Sequence, residues 1–83
     1  MEKKKTVSIG EVSRATGVSV RKIRYWSDKG YILEPALSIS GEIAYRLYDQ
    51  GHIEQVKRIK LFQQEGYTLK MAVKKASEEE KNL

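Results

Sequence analysis

The stretch Val18-Ser-Val-Arg-Lys-Ile-Arg-Tyr-Trp-Ser-Asp-Lys-Gly30 decides how the rest of this 83-residue chain is read. Advancing 100° per residue with Val20 at zero places Val20, Ile23 and Trp26 in one arc, at 0°, 300° and 240°, and Arg24, Asp28, Arg21 and Tyr25 in the opposing arc, at 40°, 80°, 100° and 140°. One face is therefore apolar and the opposite face mostly cationic. Ser19 stands where an N-cap belongs and Gly30 where a left-handed residue ends a helix, so the element is about ten residues long. A short helix with arginines on its outer face is the usual means of entering a DNA major groove. A merely solvated surface helix is the competing reading. Tyr25 weighs against it, because an aromatic hydroxyl among arginines supplies a phosphate donor and gains little as core.

Upstream, Ser8-Ile-Gly-Glu11 has capping-box spacing, and Val7 and Val12 occupy the two positions of a hydrophobic staple. These predict a helix of about seven residues from Ile9, ended by Gly17. The tight Gly17-Val18 connection to the next N-cap gives the pair the form of a helix-turn-helix. Downstream, Tyr31-Ile-Leu-Glu-Pro35 should return the chain to the core. Leu37, Ile39, Ile43 and Tyr45 around Ser40-Gly41 predict a hairpin over Ala36 to Tyr48, which in a helical chain is a wing. Asp49 caps a following helix, with Tyr48 and Ile53 as its staple, Ile53, Val56, Ile59 and Phe62 as its stripe, and Gly66 at its end. Thr68 caps a last helix from Leu69 to about Glu79, with Leu69, Ala72, Val73 and Ala76 inward. The fold expected is mainly α: a winged helix-turn-helix followed by a helical hairpin.

Composition narrows the function. Sixteen Lys and Arg oppose eleven Asp and Glu, for a net charge of +5. Residues 1–60 carry twelve basic and seven acidic side chains and residues 61–83 four of each, so the excess lies in the first part. Such placement suggests a polyanionic partner. Without cysteine there is no disulfide, thiolate metal site or iron–sulfur ligation by this chain. No apolar run approaches the roughly 18 residues of a membrane span, and Met-Glu-Lys-Lys-Lys opens no signal peptide, so a cytoplasmic, nucleoid-associated location is expected. Lys3, Lys4 and Lys5 belong to a flexible basic arm over residues 1–6. Catalysis lacks a constellation: the single histidine, His52, reads as a solvent-facing residue of a first helical turn, and Glu11 and Asp28 as helix cap and surface. Neither an enzyme activity nor a cofactor or metal is expected.

Taken together, Ser8-Ile-Gly-Glu-Val12, Thr16-Gly-Val-Ser19, Ile23-Arg-Tyr-Trp26, Gly30-Tyr-Ile32, and Tyr45-Arg-Leu-Tyr48 followed by His52-Ile53 resemble the DNA-binding domain of MerR-family bacterial transcription regulators. The resemblance covers residues 7 to about 77. It implies sequence-specific binding of double-stranded DNA by a dimer on a palindromic operator, with helix 19–29 in the major groove and the wing, 36–48, near the backbone. Carried over by residue, it places Arg21 in the groove, Arg24 and Tyr25 on phosphates, and Arg46 on the backbone. Ser19, Lys22 and Tyr45 complete the candidate DNA-binding set. RNA polymerase joins the partners if the protein is an activator. An excisionase-like or architectural DNA-bending protein is the alternative, and a basic adaptor for an acidic protein or membrane a more distant one.

Three departures stand out. The family's usual Arg-Tyr-Tyr-Glu is Arg-Tyr-Trp-Ser here, which removes a carboxylate that often helps hold arginines and leaves Trp26 as core. The wing is slightly longer than common and lacks its usual arginine. The chain also stops before the long helix that ordinarily pairs two subunits, so residues 78–83 are expected to fray or to start a dimerisation helix. A fragment of a longer regulator, monomeric when free and paired on DNA, is the expectation.

Overall fold

The computed structural model describes residues 5–81. Lys3 and Lys4 of the basic arm and the last two positions lie outside the described residues, whereas Lys5 and Thr6 are exposed. Four helices and one hairpin follow in the order α1 (Ile9–Thr16), α2 (Val20–Asp28), β1 (Ala36–Ser40), β2 (Ile43–Leu47), α3 (Gln50–Gln64) and α4 (Leu69–Lys81). This is the winged helix-turn-helix plus helical hairpin that the patterning predicts.

Local chemistry explains the boundaries. Ser8 Oγ accepts the Glu11 N–H at 3.2 Å and the Glu11 carboxylate accepts the Ser8 N–H at 3.5 Å, closing the capping box of α1. Thr16 then shapes the turn: its hydroxyl donates to Val12 O at 2.8 Å and accepts the Val18 N–H at 3.2 Å. Gly17 follows with φ 75°, a conformation in which a Cβ would meet Lys60 Nζ at 2.8 Å. Ser19 caps α2 through the Lys22 N–H, and Gly30, also at φ 75°, lies just past its end. In the hairpin Ser40 pairs with Ile43. The two-residue turn therefore has Gly41, φ 62°, at its first position, where a type II′ turn needs a positive φ. Thr68 Oγ1 accepts the Met71 N–H at 3.3 Å to open α4.

The core is formed where the two helical pairs meet. Val12 of α1, Ile23 and Trp26 of α2, Ile32 of the connection, Tyr48, Val56 and Ile59 of α3 and its approach, and Ala72 and Ala76 of α4 are all buried. α1 packs on both α2 and α3, and α3 packs on α4. An antiparallel bridge between Val7 and Tyr48, with N–H···O distances of 2.8 and 2.9 Å, pins the exit of the wing to the entrance of α1. Lys60 adds a second tie, its ammonium donating to Thr16 O at 2.8 Å. A cation there also suits the negative end of a helix dipole.

Three sequence expectations are corrected. Val20 is 37% exposed rather than core: it is the first residue of α2, its Cβ tilts back past the helix end, and Val18 is the residue buried at that corner. Leu33 faces solvent while Ile32 and Pro35 turn inward. Its N–H is instead satisfied by Gln55 Oε1 at 2.8 Å. The largest correction is His52, which is 5% exposed and not solvent-facing. It occupies the N3 position of the Asp49 capping box, where its Nδ1 accepts the Asp49 N–H at 3.0 Å, and its ring meets Tyr48 edge to face with centroids 5.1 Å apart. Helix position alone does not distinguish that role from a wet first turn.

Candidate nucleic-acid interface

The apolar and cationic faces of α2 separate as the sequence requires. Ile23 and Trp26 are buried at 0% and 2% exposure, which turns that side of the helix into the core beside α1. Arg21, Lys22 and Arg24 are exposed on its other side, and Tyr25 is half exposed. Ser19, at the N-cap, is exposed as well, its hydroxyl committed to the Lys22 N–H. No acidic residue lies in the first turn of α2, so nothing offsets the positive end of its dipole. Tyr25 is held at its ring: its edge meets Tyr31 with centroids 6.2 Å apart, and Lys29 Nζ lies 5.6 Å from its centroid. That braces an aromatic side chain, half exposed, on the same helix as Arg21, Lys22 and Arg24.

The other two candidates sit on the wing and differ from each other. The pairing of Ser38 with Tyr45 and of Leu37 with Arg46 puts them on opposite faces of the ribbon. Tyr45 is exposed. Arg46 turns toward α2, where its Nη2 donates to Asp28 Oδ1 at 2.8 Å. The Asp28 carboxylate, and after it the Tyr48 hydroxyl, hold the Arg46 guanidinium above its already high ordinary pKa, so it is a permanent cation. Tyr48 OH lies 3.2 Å from Ser27 Oγ, which donates to Ile23 O at 2.8 Å. Ser27, standing where the resemblance would put a carboxylate, is thus a buried hydrogen-bonding spacer, and Asp28 one residue later holds the arginine instead.

Sequence reasoning found the cations of α2 but missed this pairing. Asp28 reads from sequence only as helix surface, since eighteen positions separate it from Arg46. The available signal was weak: an acidic residue on a face otherwise given to arginine. Among the described residues, no group of three or more His, Asp or Glu side chains is placed to hold a metal ion. No helix there is long and apolar enough to cross a membrane.

Comparison with known proteins identifies the family of the chain. The family described as "MerR HTH family regulatory protein" matches residues 7–79. The HTH-type transcriptional regulator CueR of Escherichia coli O6:H1 is 30% identical over 63 residues, 76% of this chain and 44% of that protein. The mercuric resistance operon regulatory protein of Bacillus cereus is 38% identical over 61 residues, 74% of this chain and again 44% of the relative. CueR of Vibrio cholerae O1 El Tor is 30% identical over 63 residues, 76% of this chain and 43% of that regulator. The chain spans less than half the length of the curated relatives it matches.

Proposed function

Because the chain belongs to the MerR family of helix-turn-helix regulatory proteins, we propose that it binds double-stranded DNA sequence-specifically and serves transcription regulation in the bacterial cytoplasm. The observation that carries this reading is the division of α2: Ile23 and Trp26 locked in the core, Arg21, Lys22, Arg24 and Tyr25 presented on the open side. α2 enters the major groove. Arg21, near its N-terminal end, reads a base edge, for which a guanidinium suits the two acceptors of guanine. Arg24, Tyr25, Lys22 and Ser19 hold phosphates and fix the register. The wing lies along the backbone, with Arg46 and Tyr45 as its contacts.

A nine-residue helix spans only a few base pairs, so the binding unit is two copies on successive major-groove faces of an inverted repeat. α4 has Ala76 as its last apolar position before Ser77, Glu78 and Glu79, and no heptad pattern that would build a coiled coil. The free chain is therefore monomeric and pairs on the duplex, and RNA polymerase becomes a partner where the output is activation. Selection of bound sequences from a random duplex pool tests the reading. An inverted repeat with a few fixed base pairs in each half is expected, and recovery of no consensus overturns it.

A further inference from the structure

Beyond the Val7–Tyr48 bridge and the Tyr48–Ser27 hydroxyl pair at its base, little burial places the wing. Every residue from Ala36 to Tyr45 except those in the two-residue turn is an exposed strand residue, including Leu37, Ile39 and Ile43 at 64%, 74% and 55%. Two clefts flank its base. One, of about 510 Å³, separates Pro35 and Leu37 from the C-terminal end of α2 at Asp28 and Lys29. The other, of about 470 Å³, lies between Tyr45 and Leu47 on one side and Ser8 and Arg24 on the other. A two-stranded ribbon is marginal in isolation, and one flanked by clefts has no packed surface to fix its tilt. Arg46 lines both clefts, and its 2.8 Å bond to Asp28 bridges the first.

Asp28 is costly where it stands. On α2 it shares the outward face with Arg21 and Arg24, and a carboxylate there repels the phosphates those residues approach. Half exposed, its ion pair with Arg46 adds little to folding. What the pair does supply is a direction: it ties the second strand of the wing to the last residue of the recognition helix. We infer that Asp28 is a positioning residue for DNA recognition, holding Arg46 and through it the angle at which the wing meets the backbone while α2 is in the groove. This rests on the DNA-binding reading above. It assigns Asp28 a task opposite in sign to its charge, because electrostatics alone predicts that removing it strengthens binding.

The test compares Asp28→Asn, Arg46→Gln, the double variant and Asp28→Glu in the full chain, on the selected consensus duplex and on a random duplex of equal length. Positioning predicts that Asp28→Asn weakens consensus binding about tenfold, the order of one charge-assisted contact, and, because the wing meets the backbone, lowers random-duplex binding in the same direction. The double variant should be no weaker than Arg46→Gln alone, since Asp28 acts only through Arg46, and Asp28→Glu should recover part of the loss. Tighter binding of Asp28→Asn to both duplexes, or losses that add in the double variant, would overturn the inference. A second arm needs no DNA: residual dipolar couplings of amides 36–47 relative to the helices should change in Asp28→Asn and Arg46→Gln alike. An unchanged wing orientation in Asp28→Asn overturns the tether, whereas a changed orientation with no duplex binding by the wild type supports the tether and faults the DNA reading.

Discussion

The recognition helix and the wing are both expected to face the same duplex, yet they are held by different physics. α2 is positioned by burial: Ile23 and Trp26 lose nearly all their exposure, and each such side chain is worth about 1.5–3 kcal/mol or more when removed from water. The wing is positioned by polar ties at its base, namely the Val7–Tyr48 bridge, the Tyr48–Ser27 hydroxyl pair and the Arg46–Asp28 ion pair. A buried face is insensitive to salt and pH, whereas an exposed ion pair is screened. The difference teaches that the base readout proposed for α2 would rest on a rigid element, and the backbone contact proposed for the wing on one that can yield.

The largest effect should come from the core side of α2. Trp26→Ala removes a 2%-exposed indole and should cost about 3–5 kcal/mol, enough to unfold much of so small a domain. Urea unfolding followed by circular dichroism measures it, and a variant of native-like stability would mean that burial does not place the helix. On the outer side of the same helix, Arg21→Ala should leave folding intact. It should cost about 1–3 kcal/mol of discrimination at one base position per half-site. Equal loss on consensus and random duplexes would instead make Arg21 a backbone contact.

Where the wing returns to the helices, Asp49→Ala should destabilise by about 1 kcal/mol, because the carboxylate caps α3. Burial of Asp49 opposes its ionisation, but the His52 backbone N–H and then the charge of His52 outweigh it and leave the carboxyl below its ordinary pKa. A depressed folded pKa means the contribution is present above the ordinary carboxylate value and is lost as pH falls through it toward the folded one. The wild type should therefore lose stability in acid more steeply than Asp49→Asn, as thermal melts between neutral pH and pH of about 3 would show. The smallest effect belongs to the wing itself: Ile39→Ser, at a 74%-exposed position, should change stability by no more than about 0.5 kcal/mol. A larger loss would show that the wing is packed after all, and the contrast with α2 would collapse.

Most of the fold was legible because its signals are local. Ser8, Ser19, Asp49 and Thr68 each cap the helix assigned to them, and Gly17, Gly30 and Gly66 take the positive φ that ends one. Such residues act on backbone groups within three or four positions, so spacing alone reveals them. The two faces of α2 follow from the same logic, and with them the cationic candidate surface. The order of motifs along residues 7 to about 77 is enough to indicate the family, whose description matches residues 7–79.

What the tertiary structure decided are the relations between residues far apart in the chain. Val20 lies outside the core and Val18 inside it, although both are apolar and two positions apart. His52 is buried because Tyr48 and Asp49 meet it, a fate its polarity conceals. Lys60 reaches across 44 residues to the end of α1, and Asp28 finds Arg46 across 18. Periodicity fixes which way a side chain points from its own helix axis. Only the packing of the elements fixes what it meets there, because that depends on crossing geometry, and no single element encodes it.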